Sequence, residues 1–89
     1  MKSYLIGYDL NKSGQDYATL IEQIKTLGNW WHCLGSTWIV KSNISAVEIR
    51  NHLLNYIDNN DELLVVCLTG AGAWSGFSND CSKWLKDNL

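Results

Sequence analysis

No stretch of this sequence approaches the roughly 18 consecutive apolar residues that a membrane span requires. The opening Met1-Lys2-Ser3-Tyr4 also lacks the charged-then-apolar pattern of a secretory leader. Basic residues are few: seven Lys or Arg stand against nine Asp or Glu, for a net charge of -2. Binding nucleic acid through phosphates alone needs a basic face, so strong non-specific binding of that kind is disfavoured, although a local basic stripe fits the count. Cysteine is scarce and scattered. Cys33, Cys67 and Cys81 are odd in number and form no Cys-x-x-Cys pair, which argues against a disulfide framework and a zinc knuckle. The expectation is three small core side chains in a cytoplasmic protein.

What is plentiful is apolar surface. The 89 residues suffice for one domain, 1–89, with one core. With 46% hydrophobic residues and five Trp, the chain carries more apolar surface than a two-layer monomer hides, so a homodimer is expected. The segment Tyr4-Leu5-Ile6-Gly7-Tyr8-Asp9-Leu10 is apolar at nearly every position, as in a strand covered on both faces, and it ends in a carboxylate. Ser13 is the candidate N-cap of a helix with Asp16 in its first turn, and Tyr17, Leu20, Ile21, Ile24 and Leu27 form one apolar face before Gly28 stops it.

Two further strands follow around Gly35. Asn29 to Leu34 and Ser36 to Lys41 read most simply as a hairpin, with a single bent strand bulged at Gly35 as the alternative. Ser45-Ala46-Val47-Glu48 is a capping box, and it predicts a helix from Ser45 to Ile57. The last strand, Glu62 to Thr69, is again apolar at almost every position. Gly70-Ala71-Gly72-Ala73 breaks it, and a C-terminal helix from Ser78 to Asn88 places Cys81, Trp84 and Leu85 on one face. The order βαββαβ predicts an α+β, ferredoxin-like fold: a four-stranded antiparallel sheet, first and third strands central, with two helices on one face. Residues 70–89 are then a C-terminal extension that packs on the sheet or on a partner chain.

For chemistry, Asp9 is the conspicuous residue, because strand ends are where a rigid backbone meets solvent. Its plain alternative is a turn residue that accepts hydrogen bonds from the backbone of 11–14. His32 has the side chain closest to neutral titration, yet its neighbours Trp30, Trp31 and Cys33 favour a packed role. His52 reads as solvent-facing. The tryptophans have no interleaved basic residue between Asn29 and Val40 and read as packing rather than as a base-stacking platform. Gly70-Ala71-Gly72 lacks the Lys-Ser/Thr of a phosphate loop and reads as a turn. Lys12, three residues past Asp9, is the cation best placed to meet a phosphate.

Several motifs carry a resemblance. The first strand ends Tyr8-Asp9, a helix closes at Gly28, and the strand pair contains Ser36-x-Trp38-Ile39. In these the chain resembles the small ferredoxin-fold CRISPR-associated proteins that form the non-integrase half of the spacer-adaptation complex. Over nearly all its length, through Gly28-Asn29-Trp30-Trp31-His32, Ser36 to Val40 and Ala73-Trp74-Ser75-Gly76-Phe77, it is similar to the SinR-like small proteins grouped with them. The resemblance implies a metal-dependent endonuclease or endoribonuclease acting as a homodimer. Asp9, preceded by Tyr8, would meet its symmetry mate and hold Mg2+ or Mn2+ for phosphodiester hydrolysis. Ser36 is the nearest match to the family's serine, and with Lys12 it would face RNA or DNA. The alternative is a non-catalytic dimeric scaffold or interaction module of the same fold, docking a protein partner through the C-terminal segment.

Overall fold

The computed structural model describes residues 1–11 and 17–89. Its elements run β1 (Lys2–Asp9), α1 (Ala18–Lys25), β2 (Asn29–Leu34), β3 (Thr37–Ser42), α2 (Ala46–Leu53), β4 (Glu62–Cys67) and α3 (Asn79–Asn88). The sheet is antiparallel with strand order β2-β3-β1-β4, so β1 and β3 are central as the ferredoxin-like pattern requires.

Alternation along β1 sorts the two layers. Tyr4 and Ile6, with Trp38 and Val40 opposite them on β3, face α1 and α2 and join Leu20, Ile24, Ile49 and Leu53 in the main core. Ser45 caps α2 as its sequence predicts: its hydroxyl accepts from the Glu48 N–H at 3.1 Å, and its own N–H donates to Glu48 Oε1 at 3.2 Å. The α-helix is shorter than predicted. It ends at Leu53, and Leu54–Tyr56 continue as one 3-10 turn, as helix ends often do. The proposed cap of α1, Ser13, lies outside the described residues. Gly28 follows that helix where a Cβ would sit 2.0 Å from the Lys41 carbonyl oxygen, so the crossing of chain segments there admits no side chain.

The second face of the sheet is covered in part by the chain's own tail. Trp31 and Ile39 pack with Leu85 of α3, joined by Leu68, Trp74, Phe77, Trp84 and Leu89. Ser78 caps the helix by accepting from the Cys81 N–H. The Trp31 indole donates to the Cys81 carbonyl at 3.1 Å, and the Trp84 indole donates to Asn29 Oδ1 at 3.1 Å. Cys33 and Cys81 are disulfide-bonded, with their Cα atoms 6.5 Å apart, while Cys67 is an exposed free thiol. This corrects the expectation of three unlinked core cysteines. The partners are 48 residues apart, and only the folding of α3 back over β2 brings them together. Among the described residues no helix is long and apolar enough to cross a membrane.

Candidate functional site

The carboxyl end of β1 opens into a cleft of about 340 Å3, lined by Gly7, Tyr8, Asp9, Ser36, Thr37, Glu62, Leu63 and Leu64. Three of the four residues singled out in the sequence thus converge on one place. The β2–β3 hairpin carries Ser36 to the end of β1, where the Ser36 carbonyl accepts the Tyr8 N–H at 3.2 Å. Lys12, the fourth, lies outside the described residues.

Period-two alternation separates Tyr8 from Asp9. The Tyr8 ring belongs to the helix-covered face, and its hydroxyl accepts from the Trp38 indole at 3.0 Å. Asp9 is exposed and points to the other face. Among the described residues its carboxylate accepts no hydrogen bond and forms no ion pair; most of the 11–14 backbone that the turn alternative invokes lies outside the described residues. The Asp9 main-chain carbonyl accepts from Asn11 Nδ2 at 3.4 Å.

Directly opposite Asp9 in the β1–β4 register stands Glu62, a residue that sequence reasoning passed over. Two like charges directly opposed across a strand pair repel at close range. The only polar group holding the Glu62 carboxylate among the described residues is Asn11 Nδ2, at 3.0 Å. The same amide donates to the Asn60 carbonyl at 2.7 Å, and the Asn11 N–H donates to Asp61 Oδ1 at 2.8 Å. Asp61 also accepts from the Tyr17 hydroxyl and the Asp58 N–H, tying the 58–61 turn to the start of α1. The topology held a signal for Glu62. In a ferredoxin-like sheet β1 and β4 are antiparallel neighbours, so the last residue of one faces the first of the other.

The other candidates are engaged elsewhere. His32 stacks on Trp38, ring centroids 3.7 Å apart, with Nε2 3.1 Å from the Gly35 carbonyl. Trp30 is half-exposed, with the Lys25 ammonium 5.2 Å from its ring centroid. His52 is not solvent-facing as expected: half-buried, it meets Gln23 Oε1 at 2.8 Å and packs edge-on to Tyr56, because α2 lies against α1.

The family model described as a protein of unknown function, DUF3884, matches residues 4–75. The chain belongs to the DUF3884 family. The match begins within β1, takes in the other three strands and the cleft, and stops short of α3. No solved structure matches the chain.

Among the described residues no group of three or more His, Cys, Asp or Glu could hold a metal ion. A tetrahedral zinc site, with three or four protein ligands, therefore does not fit. Magnesium differs, because it keeps several waters and takes one or two carboxylates together with substrate oxygens. The Asp9–Glu62 pair fits that pattern within a single chain.

Proposed function

We propose that this member of the DUF3884 family is a metal-dependent endonuclease or endoribonuclease, of the kind implied by the resemblance to the CRISPR-associated and SinR-like proteins. The observation that carries the reading is the meeting of Asp9 and Glu62, from two strand ends, with Ser36 of the β2–β3 turn around one open cleft. In this reading Asp9 and Glu62 hold Mg2+ or Mn2+. When bound, the ion polarises a phosphodiester and lowers the pKa of a coordinated water. Ser36 offers a hydroxyl to a phosphate oxygen; Lys12, outside the described residues, is assigned to the phosphate on its sequence position alone, three residues past Asp9. Tyr8 is a positioning residue: anchored to Trp38 by its hydroxyl and to Ser36 by its N–H, it sets the end of β1 against the hairpin. The second carboxylate comes from the same chain, so the cation site does not depend on a symmetry mate.

The test is cleavage of labelled RNA and DNA with Mg2+ or Mn2+ by the protein, by Asp9→Asn, by Glu62→Gln and by the double variant. Each substitution is expected to lower the rate at least about a hundredfold, or about 3 kcal/mol of barrier. Cleavage that survives the double variant would overturn the assignment. Absence of cleavage by any form would favour the second reading, a non-catalytic interaction module, for which the specific support is the exposed apolar row Leu34, Leu64 and Val66.

A further inference from the structure

The two edges of the sheet are treated differently. On one side β2 breaks register against β3 between Trp31 and Leu34, and its flank is bolted to α3 by the Cys33–Cys81 bond. Bulges and covering elements are the devices by which proteins blunt a sheet edge. On the other side β4 pairs with β1 alone. Its sequence, Glu62-Leu63-Leu64-Val65-Val66-Cys67, contains no Lys, Pro or bulge, and Leu64 is 57% exposed and Val66 37%. The Leu68 N–H donates to the Ser3 carbonyl, so alternation sends the N–H groups of Leu63, Val65 and Cys67 outward, where no described residue accepts them. An apolar, unbulged edge with three regularly spaced donors that no described residue accepts is a template for another strand.

We infer that the occupant is the β4 strand of a second copy of this chain, paired antiparallel across a twofold axis at Val65 to give an eight-stranded sheet. Two observations select that partner and that direction. The only charge in the strand is Glu62 at one end, with Asp9 and Asp61 nearby, whereas Lys2 flanks the other end of the β1–β4 pair. A parallel neighbour of the same sequence would stack Glu62 on Glu62. The twofold instead carries each acidic end to the lysine end of the other copy, and like charges separate. A centre at Val65 also uses all three outward N–H groups and sets Leu64 beside Val66 of the second copy, closing the exposed apolar row. In this arrangement the two Glu62 residues lie at opposite ends of the seam, roughly 20 Å apart at the usual rise per residue, so each cleft stays separate. The inference does not rest on the nuclease reading.

Sedimentation of the full chain over a range of concentrations should give a dimer. Leu64→Lys and Val66→Lys, which place an ammonium on the seam without touching the core, should each raise the dissociation constant about tenfold or more. A Leu64→Cys, Val66→Cys double variant in a Cys67→Ser background should form intermolecular disulfides on mild oxidation, since those positions face each other in a non-hydrogen-bonded pair. A monomer at all concentrations would overturn the proposal, as would a dimer indifferent to both lysines and refractory to cross-linking. A cleavage assay on Val66→Lys, which lies outside the cleft lining, keeps the two proposals apart, because loss of the dimer leaves Asp9, Ser36 and Glu62 in place.

Discussion

The opposition of Asp9 and Glu62 has a cost that can be measured without any substrate. Two directly opposed carboxylates destabilise a strand pair by a few tenths of a kcal/mol, up to about 1. Asp9→Asn is therefore expected to raise the melting temperature of the metal-free protein slightly and to abolish any stabilisation by Mg2+ or Mn2+, both read in one thermal-shift series. A fall in stability on that substitution would mean that Asp9 has a structural role in the turn. Gly28 gives a sharper case. A methyl group there meets the Lys41 carbonyl at 2.0 Å, so Gly28→Ala should cost about 2–4 kcal/mol in denaturant unfolding as β2 and β3 shift to relieve the clash. The cysteines can be counted directly: alkylation of the unfolded, unreduced chain should modify Cys67 alone, and reduction should reveal all three.

At the scale of elements, the helix caps behave as local chemistry dictates. Both halves of the Ser45–Glu48 box are made, and Ser45→Ala should cost about 1 kcal/mol, a drop in melting temperature of roughly 4–8 °C for a domain of this size. Such features were legible in the sequence because their causes are local: a cap and its partner three residues away, apolar residues at helical or strand spacing, a glycine where a helix stops. The strand order followed from the sequence of elements alone. Glu62 and the disulfide were not legible in that way, since each depends on a register or a docking between distant segments. The exposed His52 expected from helical spacing failed for a related reason: the flank of α2 that carries it meets Gln23 of α1. The C-terminal helix depends most on long-range anchors. Leu85 is its one buried residue, and its surface pair Lys83–Asp87, at 2.7 Å, adds little although Asp87 holds the Lys83 ammonium above its ordinary pKa. Cys81→Ser is therefore expected to cost up to about 4 kcal/mol by the loop-entropy argument and to loosen α3 selectively, as seen by amide exchange.

For the whole molecule, the two faces of the sheet divide the work. One face is sealed by α1 and α2 into the main core, and the other is half covered by the tail, leaving the β1–β4 side open from Val66 to the carboxylate cleft. Amide exchange should be slowest in the central strands β1 and β3. The outward amides of Leu63, Val65 and Cys67 should exchange fast in dilute protein and become protected as concentration rises. Concentration-independent exchange at those three positions would speak against a second copy on that edge.

The bond between Cys33 and Cys81 also makes a closed covalent ring that runs through β3, α2, β4 and the exposed stretch from Thr69 to Gly76. A protease that cut the backbone once within that stretch would leave the two fragments tied as a single species. Such a break would appear on a gel only after a reductant was added, and α3 would remain seated on the sheet until then.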